Sequence, residues 1–276
     1  MHKMIDVIVP VKGRPSKLER ALKSLEDQTY QEFEVTVVND HSSPEDRNDI
    51  AQICAAYKGT INLIDSKGTG APAARNFGFG NTQNEYVLWF DSDDILLPHK
   101  LEHDIQMFKS NTFDFVVSRA QHIEKGMLVD RYWGKQPQTN KGAFQFPFQT
   151  MCALVSRAFI EEKSIKWNED NLSNDDWEFS NECMIKSERY TFSNTVTAHY
   201  NVPDATSGSI GSSLNRIKIE SQFKAIENIA RLQKKHDLKP GLYSRIRIIR
   251  HRLFLLQACL RNGYYLYFMK SLKRLF

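Results

Sequence analysis

A chain of 276 residues and 32.0 kDa, 41% hydrophobic and 25% charged, suits one large globular domain or a domain with an appendage, and its 13 Gly and 9 Pro are too few for a fibrous or disordered chain. The four cysteines, Cys54, Cys152, Cys183 and Cys259, form no C-x-x-C pair, no run approaches the roughly 20 apolar residues of a membrane span, and Asp6 and Pro10 interrupt any signal peptide, so disulfide scaffolds, zinc modules, channels and secreted proteins are disfavoured and a cytoplasmic protein is expected. The net charge of +4 is uneven: Pro240 to Phe276 holds eight Lys or Arg and no acid, leaving 29 basic residues against 33 acidic ones elsewhere.

Ile5 to Val11 is a β-branched run that predicts a strand, with Pro10 ending its ladder. Ser16, with Glu19 three residues on, predicts a capping box for a helix that buries Leu18, Leu22 and Leu25. Phe33 to Val38 predicts a second strand closed by Asn39 and Asp40, and Ser43-Pro44 opens a second helix with Ile50, Ile53 and Tyr57 inward. Ile61 to Ile64 follows as a strand, Ala71 to Gly80 as a short helix and Glu85 to Phe90 as a fourth strand. Strands alternating with helices imply right-handed crossovers and a largely parallel sheet covered on both faces.

Gly126 to Phe148 reads as a variable acceptor loop, and Ser207 to Ser213 as a flexible hinge. Leu214 to His236 has helical spacing, and Leu242 to Phe276 predicts one or two basic helices broken near Asn262-Gly263. Arg245, Arg247, Arg250, Arg252 and Arg261 alternate there with Ile, Leu and Phe, a mixture suited to an anionic membrane surface. Packing on the body or on a second subunit is the competing expectation. The acidic body, without a reading motif, argues against nucleic acid.

In open α/β sheets, ligands sit beyond the carboxyl ends of the strands. There the sequence places Lys12-Gly13-Arg14, Asn39-Asp40 and Asp91-Ser92-Asp93-Asp94. A single acid after a strand is ordinarily a turn former or a cap. Three carboxylates in four residues repel one another unless a cation is present, and an oxygen-only cluster suits Mg²⁺ or Mn²⁺. No G-x-G-x-x-G follows the first strand and no Walker lysine motif occurs, which disfavours dinucleotide redox chemistry and ATP hydrolysis.

Five blocks in order resemble the inverting family 2 glycosyltransferases of the GT-A fold. They are Val7-Ile8-Val9-Pro10-Val11, Leu25 to Phe33 with Gln28, Val37 to Ser43, Gly70 to Gly78, and Tyr86 to Pro98. A further block, Asn174-Asp175-Asp176-Trp177-Glu178-Phe179, is similar to the family's segment that supplies the catalytic base. The resemblance spans roughly residues 4–200. It implies an α/β GT-A Rossmann-like sandwich with a mainly parallel central sheet over residues 1–205; the basic C-terminal helical extension over 206–276, read from its charge and spacing, lies outside it. It also implies metal-dependent, inverting transfer from a nucleotide-sugar, UDP-linked, to a saccharide or lipid-linked acceptor in bacterial surface-polysaccharide synthesis, at the inner face of the cytoplasmic membrane.

Carried over by residue, the resemblance gives Asp40 a hydrogen bond from the donor's base, with Pro10 shaping the pocket wall. Arg75 would lie near the donor's ribose and phosphates, and Arg14 and Ser92 would also bind the nucleotide-sugar. Asp93 would ligate Mn²⁺ or Mg²⁺ directly and Asp91 would act through the ribose or a water, with Asp94 a third candidate. Asp176 would be the general base, its neighbour Asp175 sharing the candidacy because it stands where the family commonly has Glu. Both acids also suit a helix N-terminus. The Q-x-x-R-W signature of processive members is missing, so a non-processive enzyme is expected. His199 is a candidate for the diphosphate or metal and, more ordinarily, a structural histidine; Trp133 and Trp167 are candidates for sugar stacking or for packing. The competing functions are a sugar-phosphate nucleotidyltransferase and a catalytically silent nucleotide-sugar-binding scaffold.

Overall fold

The computed structural model describes residues 4–136, 148–202 and 214–274. Strand β1 (Ile5–Val11) is buried at all seven positions, as expected of a parallel strand covered on both faces. It pairs in parallel with β2 (Phe33–Asn39) on one side and β4 (Tyr86–Trp89) on the other, and β2 pairs in parallel with β3 (Ile61–Asp65). The chain therefore runs outward from β1 to β3 and then returns to place β4 beside β1, creating a topological switch point between the carboxyl ends of β1 and β4.

Pro10 does not end β1, which continues to Val11 in register with Asn39. Asp40 donates to Val11 O and Phe90 donates to Ile8 O, so alternate residues of β1 serve opposite neighbours. The missing N–H of Pro10 faces β4, whose pairing stops at Ile8↔Trp89. One absent donor thus lets the chain after Trp89 leave the sheet.

The remaining strands are β5 (Ile95–Leu96), β6 (Phe115–Glu124), β7 (Met127–Trp133), β8 (Ala153–Ser156) and β9 (Tyr190–Asn201). The order is β3-β2-β1-β4-β8-β6-β9-β5, with β7 on β6. The sheet is mixed: its first four strands are parallel, β8 is antiparallel to both β4 and β6, and β6 is parallel to β9. Part of the segment read as an acceptor loop is instead the second strand of a β6–β7 hairpin, turned by Lys125 and Gly126 at φ 50° and 78°. The rest of that segment, 137–147, and the hinge at Ser207 to Ser213 lie outside the described residues.

Helix α1 (Pro15–Glu26) starts without the Ser16–Glu19 capping box. Gly13 and Arg14 both take left-handed conformations, and Pro15 occupies the first helical turn with its φ already set. Helix α2 (Pro44–Ala56) is capped as expected by Ser43, whose side chain accepts from Asp46 N, but Cys54 is buried beside Ile50 while Ile53 and Tyr57 are only half-buried. Helix α3 (Ala71–Gly80) lies against β1 at Gly78, where a Cβ would come within 2.5 Å of Ile8 Cγ2. Helix α4 (Lys100–Ser110) is held by Lys100, fully buried, which pairs with Asp104 at 2.6 Å and donates to Ser118 Oγ and Cys152 O at 2.8 and 3.0 Å. Helix α5 (Arg157–Glu162) follows β8.

The described residues divide into two compact units, 4–136 with 148–169 and 189–202, and 170–188 with 214–274. The boundary expected at 205/206 falls outside the described residues, and α6 (Asp175–Lys186) groups with α7 (Arg216–Lys235), α8 (Leu242–Arg261) and α9 (Tyr265–Ser271). The core of the second unit joins Trp177 and Ile185 of α6 to Phe223, Ile226 and Ile229 of α7 and to Leu255, Leu256 and Cys259 of α8. The basic C-terminal helices are therefore packed on one side.

Candidate functional site

Three loops converge at the switch point. After β1, Gly13 N donates to Ser42 Oγ at 2.8 Å, joining the first loop to the one that follows β2. Asp40, at the end of β2, is 4% exposed and its Oδ1 accepts from Gly70 N at 3.0 Å, so the carboxylate is fixed against the start of α3. After β4, Asp91 to Asp94 form a turn closed by Asp94 N donating to Asp91 O at 3.2 Å.

The carboxylates of that turn have different surroundings. Asp91 Oδ1 accepts from Arg75 Nη2 at 2.6 Å and its Oδ2 from Thr150 Oγ1 at 3.1 Å. Arg75 is itself buried, its guanidinium lying 4.4 Å from the ring centroid of Trp167. Asp93 Oδ2 pairs with Arg14 Nη1 at 3.1 Å and with Lys17 Nζ at 3.4 Å. Asp94 is buried and accepts from Asn201 N at 2.8 Å; burial, then the charges of Asp93 and Asp91, raise its pKa well above the usual carboxylate value. Asp94 is thus tied to β9 through Asn201. Ser92 is buried at the centre of the turn.

Among the described residues no group of three or more His, Cys, Asp or Glu side chains is arranged to hold a metal ion. Asp91 and Asp93 nevertheless offer hard oxygen donors of the kind Mg²⁺ and Mn²⁺ accept, those ions taking other ligands from water and substrate phosphates. The donor set fits such an ion once Arg14 and Lys17 release Asp93. His199 is half-buried on β9, in register with Ile95, and burial lowers its pKa. Trp167 is used in packing, under Arg75 and edge-on to Trp89 at 5.6 Å. Trp133 packs near His122 and Tyr200.

In the second unit, Asp175 and Asp176 open α6, as their helix-terminus reading predicts. Asn174 precedes them at φ 63°, a left-handed position that sets the sharp entry. The neighbouring Glu178 is buried and accepts from Asn171 Nδ2 at 2.7 Å and Asn228 Nδ2 at 2.8 Å. Ser173 Oγ accepts from Gln222 Nε2 at 2.9 Å. Helix α7 therefore fixes the turn that carries Asp175 and Asp176.

Lys17, Thr150, Asn201, Asn171 and Asn228 were not signalled as partners of these acids. Lys17 alone had a local cue, standing three residues after Arg14 at the start of a helix. The others approach from remote strands and loops, where no spacing in the sequence relates them to their partners.

Residues 6–205 match the profile of glycosyl transferase family 2. The chain belongs to that family. It is 25% identical over 267 residues to the poly(ribitol-phosphate) beta-N-acetylglucosaminyltransferase TarP of Staphylococcus aureus, covering 90% of this chain and 80% of TarP. An uncharacterized glycosyltransferase of Rickettsia conorii is 32% identical over 128 residues, which are 45% of this chain but 21% of that protein. Among solved structures, S. aureus TarS 1–349 in complex with UDP superposes with a TM-score of 0.69 at 20% identity, over 88% of this chain and 69% of TarS 1–349. The mannosyltransferase PcManGT of Pyrobaculum calidifontis, in complex with GDP-Man and Mn²⁺, gives a TM-score of 0.64 at 14% identity over 100% of this chain and 81% of its own. The family 2 chain therefore has the GT-A type of α/β fold with C-terminal helices, and it spans only about a fifth of the length of the first curated relatives it matches.

Proposed function

We propose that this family 2 glycosyltransferase moves a sugar, with inversion and without processive extension, from a nucleotide-sugar to a saccharide or lipid-linked acceptor of a bacterial surface polysaccharide. The donor in this reading is UDP-linked, in keeping with the fold neighbours solved with UDP and UDP-GlcNAc. The observation that carries the reading is the convergence of Asp40, Arg75, Asp91 and Asp93 beyond the carboxyl ends of β2 and β4 and the start of α3. We assign the working position to the inner face of the cytoplasmic membrane.

Each residue then has a physical task. Asp40 accepts from the base, while Pro10 and the loop after β1 wall the pocket. Arg75 holds Asp91 toward the ribose, and Ser92 fixes the turn between the two carboxylates. Asp91 and Asp93 would hold Mg²⁺ or Mn²⁺, which when bound supplies positive charge against the diphosphate as it leaves. Arg14 and Lys17 carry two further cations to the same place. Asp176, with Asp175 beside it, takes the proton from the attacking hydroxyl, a step that inversion requires on the face opposite the leaving group.

A thermal-shift panel of nucleotide-sugars with and without Mn²⁺, followed by transfer assays in EDTA, tests the reading. A bound donor stabilises the folded chain by mass action, so one nucleotide class should raise Tm in the presence of metal. Full transfer in chelator would overturn the metal requirement, and the absence of a shift with every nucleotide-sugar would overturn the donor site.

A further inference from the structure

The C-terminal helix α8 has two apolar sides. One is accounted for: Leu255, Leu256, Ala258 and Cys259 enter the core of the second unit. The other is not. Leu242, Ile246, Ile249 and Leu253 are 76%, 47%, 43% and 48% exposed. At about 100° per residue their spacing of four, three and four aligns them in one stripe, on the side of α8 opposite Leu255 and Ala258. Single exposed aliphatic residues need no explanation, whereas a stripe of four over three turns does. Helix α9 adds Tyr265, Leu266 and Met269, 65%, 82% and 64% exposed.

Charge identifies the occupant. Projected around the helix, Arg245 and Arg250 flank the stripe on opposite sides, and both are exposed. From Leu214 to Arg274 there are 15 Lys or Arg and three acids, Glu220, Glu227 and Asp237, and none of those acids lies on α8 or α9. A second copy of the chain laid on this stripe would bring arginines against arginines with no carboxylate of α8 to pair them. An anionic lipid surface matches both features, since it takes the aliphatic side chains below its headgroups while the arginines reach phosphates alongside. No helix among the described residues is long and apolar enough to cross a membrane, so a helix lying in the interface is the fitting geometry.

We infer that the outer face of α8, centred on Ile246, Ile249 and Leu253, is a docking surface for an anionic lipid bilayer. This gives the membrane location proposed above a specific surface, and it stands or falls independently of the donor and the transfer chemistry. The inner face of the same helix keeps the second unit folded, so docking and packing are separate properties of one element.

The test uses the full chain in co-sedimentation with vesicles of phosphatidylglycerol mixed with phosphatidylcholine, against phosphatidylcholine alone. The wild type is expected to sediment with the anionic vesicles and not with the neutral ones, and less as salt rises. Ile246→Ser/Ile249→Ser/Leu253→Ser should lower the partition coefficient at least about tenfold, and Arg245→Gln/Arg250→Gln should lower it several-fold and flatten its salt dependence. All five positions are exposed, and an unchanged melting temperature and nucleotide affinity confirm that each variant is folded. Wild type that stays in solution with anionic vesicles overturns the inference, as does binding that both variants retain. Sedimentation equilibrium on the same proteins separates the other occupant: a wild-type dimer that the triple serine variant converts to monomer assigns the stripe to self-association and overturns the lipid surface.

Discussion

Arg14 and Asp93, 79 residues apart in the chain, meet at 3.1 Å across the switch point between β1 and β4. Lys17 reaches the same carboxylate oxygen at 3.4 Å. The carboxylate proposed to ligate a divalent ion is thus already paired with two side-chain cations, and a metal entering there would compete with them.

Removing that competition should tighten metal binding in the absence of any nucleotide. The pair is partly solvent-exposed, at 37% for Arg14 and 21% for Asp93, so each contact is worth only about 0.2–1 kcal/mol. Arg14→Gln/Lys17→Gln is expected to lower the Kd for Mn²⁺ a few-fold, read by electron paramagnetic resonance of the free ion, while weakening the affinity for UDP. Unchanged Mn²⁺ affinity would show that the ion pairs do not guard the site.

Asp176→Asn should reduce kcat by about 10²- to 10⁴-fold, the usual worth of a positioned base, with donor affinity retained. The same change at Asp175 should cost less if Asp176 is the base. Both parameters come from transfer kinetics alongside calorimetric titration of the donor. Equal loss in the two variants would leave the pair acting as a unit, and wild type that binds donor but transfers to no acceptor would favour the silent scaffold.

The pair Lys100–Asp104 lies entirely out of solvent. Lys100→Met strands a buried carboxylate with His103 as its remaining close partner, at 2.9 Å. Breaking such a pair commonly costs about 3–5 kcal/mol. Urea unfolding should show the loss, and Lys100→Met/Asp104→Leu should recover part of it. A neutral single variant would mean that the pair contributes nothing net to the fold.

Burial lowers the pKa of His122, helped by Arg131 and opposed by Glu124, and neither ring nitrogen has a hydrogen-bond partner among the described residues. The folded chain therefore binds this proton less readily than the unfolded one, whose histidine titrates near 6.5. Stability from this group is complete above that pH and falls as the pH drops below it toward the folded value. His122→Phe should make the decline in Tm between pH 7.5 and pH 5 shallower. His199 and His251, lowered for the same reason, and Asp94, shifted the other way, are common to both proteins and cancel in the comparison. Parallel pH profiles would count against the mechanism.

The parallel half of the sheet was legible because its strands are buried on both faces and its turns carry Pro, Gly, Asn and Asp at diagnostic places. The bounds of α3 follow directly from Gly70-Ala71-Pro72 and Gly80-Asn81. The antiparallel half was less legible. β8 has four residues and β5 two, too few for a periodic signal, and both are held by partners distant in sequence. For the candidate site, the strand ends gave the acids, but not the cations that answer them. That Arg75 would turn to Asp91, and Arg14 to Asp93, depends on how β1, β2 and β4 are ordered in space, and this order has no local trace. The cap of α1 was misread for the opposite reason: Ser16 and Glu19 form a valid local pattern, overridden by two left-handed residues and a proline immediately before it.

The core of the second unit has a consequence for synthesis of the chain. Trp177 and Ile185 emerge from the ribosome about 70 to 80 residues before Leu255, Leu256 and Cys259, with which they are to be buried. All nine strands among the described residues, the last ending at Asn201, are translated before α7 begins at Arg216. The sheet can therefore form co-translationally while the apolar face of α6 still lacks its cover. During that interval α6 lacks the cover it has in the folded chain, and a message truncated before α7 would release a chain with its sheet complete and the apolar face of α6 exposed.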